Sequence, residues 1–388
     1  MTAETVLARI NVMKPWLSDE EATALAEVVA SGCVAQGPKV KQFEEEFSEA
    51  QQVRHAVATS NCTSALHLAL VVAGVGPGDD VVVPSLSFVA TANAVTYVGA
   101  RPVFCDVDPA TGNVTAETLH AALTMDTRAV IVVDQGGVPV DLDPIRELAD
   151  RHNITVIEDA ACAVGSRYKG RPVGTGADVA VWSFHPGNVV TTGEGGMLTM
   201  HRPDWAARAR ALREHAVSAS ATERHGSLTA PPDVYLEVGF NYRMTDLQAA
   251  VGIVQLRRLA EVMERRREIA AAYVAGLSGL NGLRFAADPP YGTTNFQSFW
   301  VEVMPEFATS REELLSLLAR AGIMATRGFM AAHRQPAYRW RNTGNTELRH
   351  TERLTNRTLI LPVFHELDTA SLNRVITTIH AAANGMVP

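Results

Sequence analysis

Three short segments carry residues able to do chemistry, and each closes a stretch that reads as a β-strand. The first is Ser60-Asn61-Cys62-Thr63-Ser64, which leads from a strand into a helical pattern. Hydroxyls and unpaired N–H groups at a helix N-terminus suit a phosphate, because the donors and the helix dipole both favour negative charge. The same residues serve equally as an ordinary Ser or Thr N-cap. The second is Val156-Ile157-Glu158-Asp159-Ala160-Ala161. An ionised Asp closing a buried strand needs a partner. A protonated pyridine nitrogen is one such partner, and the carboxylate then keeps the ring charged and able to withdraw electrons. A plain Asp cap on the following turn fits as well. The third runs from Ser183-Phe184-His185-Pro186-Gly187-Asn188 into a glycine-rich turn at 193–196. No Lys-Ser/Thr follows those glycines, so it is not a P-loop, and a hairpin connection accounts for its backbone.

These segments need elements to hold them. Residues 53–60 read as a strand and 63–72 as a helix. A turn at 74–80 leads to a strand at 81–84 and a helix near 90–98. Further strands are expected at 102–107, 129–133, 155–158, 179–184 and 197–200, with a helix at 143–151. Strands alternating with helices predict an α/β fold with a mostly parallel sheet. Ligands of such sheets sit beyond the C-terminal strand ends, where all three segments lie. A long helix is expected from about Thr245 to Ala272, with Thr245 as N-cap and Leu247, Val251, Val254 and Leu259 as its apolar stripe. Residues 276–282 read as a hinge. Beyond it, a strand at 299–303 and helices at 311–321 and 368–382 suggest a smaller C-terminal α/β domain. The expected division is 1–255 for the large domain and 256–388 for the small one.

Composition narrows the class. The chain has 388 residues, 47% hydrophobic and 20% charged, enough for a large core. A net charge of -8 without a Lys/Arg block argues against nucleic acid as a partner. The four cysteines show no CxxC spacing, so neither a zinc site nor a redox motif is expected. No apolar run is long enough to span a membrane, and the N-terminus lacks the apolar stretch of a signal peptide. A cytoplasmic protein is the default reading. A dinucleotide-binding dehydrogenase is disfavoured, because no G-x-G-x-x-G follows the first strand.

Taken together, in this order and spacing, the segments resemble the DegT/DnrJ/EryC1/StrS family of sugar aminotransferases. The resemblance covers nearly the whole chain. It includes Gln36-Gly37-Pro38, residues 84–91, Glu158-Asp159-Ala160-Ala161, Ser183-Phe184-His185-Pro186, residues 191–196 and Phe240-Asn241-Tyr242-Arg243-Met244-Thr245-Asp246-Leu247-Gln248. It implies a fold-type-I architecture and pyridoxal phosphate or pyridoxamine phosphate as cofactor. It also implies a keto sugar, commonly nucleotide-linked, or a related ketone as substrate in amino-sugar and antibiotic biosynthesis. Position by position, Cys62, Thr63 and Ser64 would hold the cofactor phosphate. Phe88 would stack on the pyridine ring, Asp159 would pair with its nitrogen, and Ser183 would bond the phosphate from the other side. Asn241 would reach the site of a neighbouring subunit, making a homodimer with shared sites.

One position departs from the family pattern in a way that bears on chemistry. The family keeps a lysine three residues after His185, and here that residue is Asn188. The lysine amine forms the resting Schiff base and then moves a proton. An amide nitrogen is neither nucleophilic nor basic near neutral pH. The four lysines, Lys14, Lys39, Lys41 and Lys169, all lie outside the matching loop. Asp134 stands where the family has a histidine, and Cys162 where many relatives carry Gln. Three readings follow. Noncovalent cofactor chemistry without transamination, such as dehydration, is the first; some family members act this way with His at the lysine position. His185 is then the candidate base, with His215 and Asp134 behind it. The second is an ordinary sugar aminotransferase represented by a Lys-to-Asn variant. The third is an inactive paralogue with a partner or regulatory role. Substrate specificity is expected in loops at 214–233 and 326–340, where Arg327, His333 and Arg334 fit contacts to a diphosphate or a carboxylate and fit plain surface charges equally well.

Overall fold

Runs of aliphatic and β-branched residues build the centre of the molecule. Thr127–Val133 and Thr155–Asp159 are buried along most of their length, as strands covered on both faces must be. The computed structural model describes residues 8–218, 234–339 and 347–385. Its first strands are β1 (His55–Thr59), β2 (Asp80–Pro84), β3 (Arg101–Cys105), β4 (Thr127–Val133) and β5 (Thr155–Asp159). A short ribbon follows, β6 (Arg167–Tyr168) and β7 (Arg171–Pro172), then β8 (Val179–Ser183) and β9 (Gly196–Met200). Seven of these form one sheet in the order β1-β9-β8-β5-β4-β2-β3. β9 pairs antiparallel with both its neighbours, and the other neighbouring pairs are parallel. Strand alternation sends Val82, Val130, Val132 and Trp182 into one apolar layer and Val81, Ile131, Ile157 and Val181 into the other. The expected α/β class, with a mixed and mostly parallel sheet between helices, is what the chain adopts.

A second core forms from the C-terminal third. β10 (Leu283–Phe285) leads to β11 (Gly292–Thr293), which pairs with β6. β12 (Phe299–Val303), β13 (Thr326–Arg327) and β14 (Thr358–Leu361) join β10 in an antiparallel sheet ordered β10-β12-β14-β13. Tyr273, Phe299, Leu318 and Val375 fill the space between this sheet and its helices. Ile10 belongs to the same core and bridges to Ile323. No helix among the described residues is long and apolar enough to cross a membrane.

Three sequence expectations are corrected here. The single long helix is two helices, Asp246–Arg257 and Leu259–Leu277, broken at Arg258 (φ -91, ψ 1). Arg258 breaks the line because its guanidinium pairs with the buried Glu21 and lies 4.5 Å over the Trp16 ring. Those partners sit over 230 residues away in sequence, so local periodicity carries no trace of them. Of the expected stripe, Val254 is buried but Leu247, Val251 and Leu259 are only half-buried, and the deeper face also takes in Ala249, Ala250, Ile253 and Leu256. Gly276, expected in a hinge, lies inside the second helix against Ile376.

Two distant motifs explain each other in the structure. Asp246, buried at the start of its helix, accepts from the N–H groups of Gly37 (2.9 Å), Lys39 (3.1 Å) and Val40 (2.9 Å). It thereby caps the helix Pro38–Ala50, which has no side-chain cap of its own. Gly37 is required by the approach, since a Cβ there would lie 2.8 Å from Asp246 Oδ2.

Candidate active site

The helix Cys62–Val72 starts where β1 ends, and its cap is Asn61 rather than a Ser or Thr. Asn61 Oδ1 accepts the Ser64 N–H at 2.8 Å, and the Ser60 and Ser64 hydroxyls bond each other at 3.2 Å. The Ala65 N–H begins the helical ladder on the Asn61 carbonyl. The N–H groups of Cys62 and Thr63 have no partner among the described residues, which leaves two donors at the positive end of a helix. Ser64, expected beside them, has its N–H and its hydroxyl already engaged. Gly196 opens β9 directly against this turn. A Cβ on it would lie 2.4 Å from the Asn61 carbonyl carbon and 2.6 Å from Cys62 N, so only glycine fits.

Asp159 ends β5 and is buried. Its Oδ2 accepts from Thr91 Oγ1 at 3.1 Å and its Oδ1 from the Ala161 N–H at 3.2 Å. Burial pushes the carboxyl up to about 6, against the pull of the Ala161 and Thr91 hydrogen bonds. A cationic partner would offset that cost and hold the carboxylate charged. Burial first, then Asp159, raises both the Cys62 and Cys162 thiols, so neither is a ready thiolate nucleophile.

The segment after β8 is a braced turn. The Asn188 N–H donates to the His185 carbonyl at 2.9 Å, and the Gly187 N–H to His185 Nδ1 at 3.1 Å. Asn188 Nδ2 donates to the Ser183 carbonyl at 3.2 Å. Thr191 Oγ1 and the Thr192 N–H both donate to the Phe184 carbonyl at 2.9 Å, tying the glycine-rich turn back to the strand.

These elements enclose a cavity of about 680 Å³. Cys62, Thr63, Ser64, Phe88, Asp159, Ser183, His185 and Asn188 all line it, so the three sequence segments converge on one place. Phe88 is 66% exposed, an unusual position for an aromatic that had only core packing to serve. Among the described residues, the lining holds two carboxylates, Asp159 and Glu194, and neither Lys nor Arg. The four lysines are engaged elsewhere: Lys14 with Glu366 (2.6 Å), Lys39 with Glu27 (3.8 Å), Lys41 with Glu45 (3.9 Å) and Lys169 with Asp143 (2.6 Å). Among the described residues, no group of His, Cys, Asp and Glu is placed to hold a metal ion.

Other expected residues fall outside the cavity. Asn241 is exposed and bridges Glu214, away from the cavity of its own chain. His215 is exposed with φ 64 and does not line the cavity. Asp134 is wholly buried beside Glu158 and has no access to it. Arg327 pairs with Glu312 (2.7 Å), and Arg334 with Asn356 (2.8 Å) and Glu352 (3.2 Å). His333 Nδ1 meets Ser85 Oγ at 2.6 Å. These three are therefore joints within the chain. The loop at 214–233 lies largely outside the described residues, as does Trp340 at the end of the other. Sequence reading missed three lining residues that matter. Thr91 holds Asp159, and His67 bonds the Tyr242 hydroxyl at 2.9 Å at the cavity wall. The only sequence signal for Thr91 was its place in the matching run 84–91, and for His67 its position one turn after Thr63 on the same helix.

The donors, the buried carboxyl and the open aromatic ring suit a phosphorylated pyridine. Comparison with known proteins agrees. A structure of the aminotransferase TlmJ from Streptoalloteichus hindustanus is 39% identical, with a TM-score of 0.89 over 98% of this chain and 100% of that one. A protein from Streptococcus pneumoniae, solved in PMP and PLP forms, gives TM-scores of 0.91 and 0.90 at 26% identity; the matches cover 97% and 98% of this chain and 100% of each of those chains. GDP-perosamine synthase of Caulobacter vibrioides is 38% identical over 377 residues, 96% of this chain and 98% of that protein. Residues 15–380 match the DegT/DnrJ/EryC1/StrS aminotransferase family. The chain is a pyridoxal-phosphate-dependent, fold-type-I enzyme that belongs to that family.

Proposed function

We propose that this enzyme holds pyridoxal phosphate or pyridoxamine phosphate noncovalently and applies it to a keto sugar in chemistry other than lysine-mediated transamination, such as dehydration. One observation carries the reading: the cavity keeps phosphate donors, Phe88 and Asp159, and no lysine lines it. When bound, the cofactor supplies an electron sink for bonds beside the condensed carbonyl carbon. The Cys62 and Thr63 N–H groups and Ser183 hold the phosphate. Phe88 lies against the ring, and Asp159 pairs with its nitrogen. His185, exposed in the cavity wall, moves the proton that a lysine amine would otherwise move. Asn188 takes part by hydrogen bonding alone. A nucleotide-linked keto sugar is the favoured substrate, supported by the likeness to GDP-perosamine synthase. Asn241, exposed and outside its own cavity, contributes to the site of a second copy in a homodimer.

The test starts with binding. Titration with each cofactor, followed by absorbance and heat, is expected to give saturable binding with no borohydride-reducible link to the protein. Incubation with pyridoxamine phosphate and a nucleotide-linked keto sugar is then expected to show loss of water from the sugar by mass spectrometry. Catalytic amination of the sugar with glutamate as donor would overturn the reading, as would failure to bind either cofactor.

A further inference from the structure

Two hydroxyls stand in line behind the Asp159 carboxylate. Ser87 Oγ lies 2.8 Å from Thr91 Oγ1, and Thr91 Oγ1 lies 3.1 Å from Asp159 Oδ2. All three residues are buried. An ionised carboxylate only accepts, so the Thr91 hydroxyl donates to it. That hydroxyl has a single proton, so in its other contact Ser87 is the donor. Each proton in the line then has an acceptor. A proton on Asp159 Oδ2 would reverse the line and leave the Ser87 proton buried without one, because Ser87 Oγ has no other partner among the described residues. A proton on either oxygen would also turn a charge-assisted hydrogen bond into a weaker neutral one. The line of hydroxyls therefore favours the ionised carboxylate.

The local backbone sets this geometry. Ser87 and Thr91 stand on either side of the start of the helix Ala90–Tyr97, and the Thr91 N–H donates to the Phe88 carbonyl at 3.2 Å. One turn thus delivers Phe88 to the cavity and Thr91 to Asp159. The turn is pinned from elsewhere in the chain. The Ser87 N–H donates to the Ser85 carbonyl at 3.0 Å, Gln135 Nε2 donates to the Leu86 carbonyl, and Leu86 bridges to Ala331. The Thr91 hydroxyl is therefore placed by the loop after β4 and by the C-terminal third.

We infer that Thr91, backed by Ser87, is a positioning residue that holds the Asp159 carboxylate charged and oriented, and so sets the strength of its pairing with the ring nitrogen of the cofactor. The inference rests on the proposed pairing of Asp159 with that nitrogen. A hydroxyl that served packing alone could be exchanged for a methyl of the same size. Here the methyl would set an apolar group against a buried charge and leave one carboxylate oxygen short of a donor.

Calorimetric titration of the full chain with pyridoxamine phosphate, and with its analogue in which CH replaces the ring nitrogen, tests it. The ratio of the two affinities isolates the nitrogen contact from the phosphate and stacking contacts. In the wild type the nitrogen compound is expected to bind more tightly, and Asp159→Ala should remove that preference. Thr91→Val keeps the shape and removes the hydroxyl, and it should lower the ratio about tenfold. Thr91→Ser keeps the hydroxyl and should keep the ratio. Ser87→Ala should lower it less, about threefold, and it serves if Thr91→Val fails to fold. An unchanged ratio in Thr91→Val and Ser87→Ala would overturn the inference while leaving the Asp159 pairing standing, as would an equal fall in Thr91→Ser and Thr91→Val. Equal affinities for the two compounds in the wild type, or binding of neither, would remove the pairing itself and the inference with it.

Discussion

Glu158 precedes the cavity carboxyl by one residue yet belongs to a different buried pair. Strand alternation turns it away from Asp159 and toward Asp134. Glu158 Oε2 accepts from the Gly174 N–H at 3.0 Å, and Asp134 Oδ1 accepts from the Val140 N–H at 2.9 Å. That leaves Asp134 Oδ2 facing another acceptor unless one of the two carboxyls keeps a proton. Burial raises Glu158 to about 7 and raises Asp134 well above the usual carboxylate range. A raised acid binds more protons folded than unfolded between its unfolded value near 4.3 and its folded value. The stability it contributes is therefore present below about 4.3 and is lost as pH rises through about 7. Glu158→Gln removes that titration and supplies an amide donor for Asp134. Relative to wild type, the variant should gain roughly 1–3 kcal/mol of stability between pH 5 and pH 8. Urea melts at the two pH values measure it, and a difference independent of pH would mean that the Glu158 carboxyl ionises normally.

At the scale of elements, the site depends on how closely β9 approaches the turn between β1 and the helix Cys62–Val72. Both obstacles to a side chain at position 196 are backbone atoms of Asn61 and Cys62, which cannot rotate aside. Gly196→Ala should cost about 1–3 kcal/mol by overpacking. It should also displace the phosphate donors, so cofactor affinity should fall by more than the loss of folded protein explains. A thermal melt and a cofactor titration on the same sample separate the two effects. An alanine variant of wild-type stability and affinity would show that the turn has room to retreat. The helix expected from Thr245 to Ala272 shows the limit of reading elements locally. Its residues support helix on both sides of Arg258, and the break comes from Glu21 and Trp16 at the other end of the chain. The strands were easier to read, because a buried parallel strand announces itself as an unbroken apolar run.

At the scale of the whole molecule, the C-terminal third closes over the strand ends. Ser85, just past β2, meets His333 at 2.6 Å, and Asp106, just past β3, caps the helix Arg349–Arg357 through the N–H groups of His350 (2.9 Å) and Thr351 (2.7 Å). These ties explain why His333, with its neighbours Arg327 and Arg334, serves architecture. If Asn241 serves the site of a second copy, two defective variants should complement each other. Mixed and refolded, Asn241→Ala and Asp159→Asn would form heterodimers with one intact site each, about a quarter of all sites in a random mixture. Cofactor titration of the mixture should recover tight binding at about that stoichiometry, whereas a site built within one chain would recover none.

The sequence by itself determined the class of fold, the three segments that make the cavity and the family to which the chain belongs. It could do so because apolar runs, helix starts and glycine turns are local, and each segment carried its own chemistry in order. It also determined that Asn188 stands in the loop after β8. Only the tertiary structure decided how that asparagine is held, because its amide nitrogen donates to the Ser183 carbonyl and its turn is braced by Gln297, 109 residues later in the chain. The same holds for Thr91 on Asp159, for the Glu158–Asp134 pair and for the lysines held at the surface. Their roles depend on which groups meet when distant strands and loops pack together, and no periodicity or spacing records such meetings.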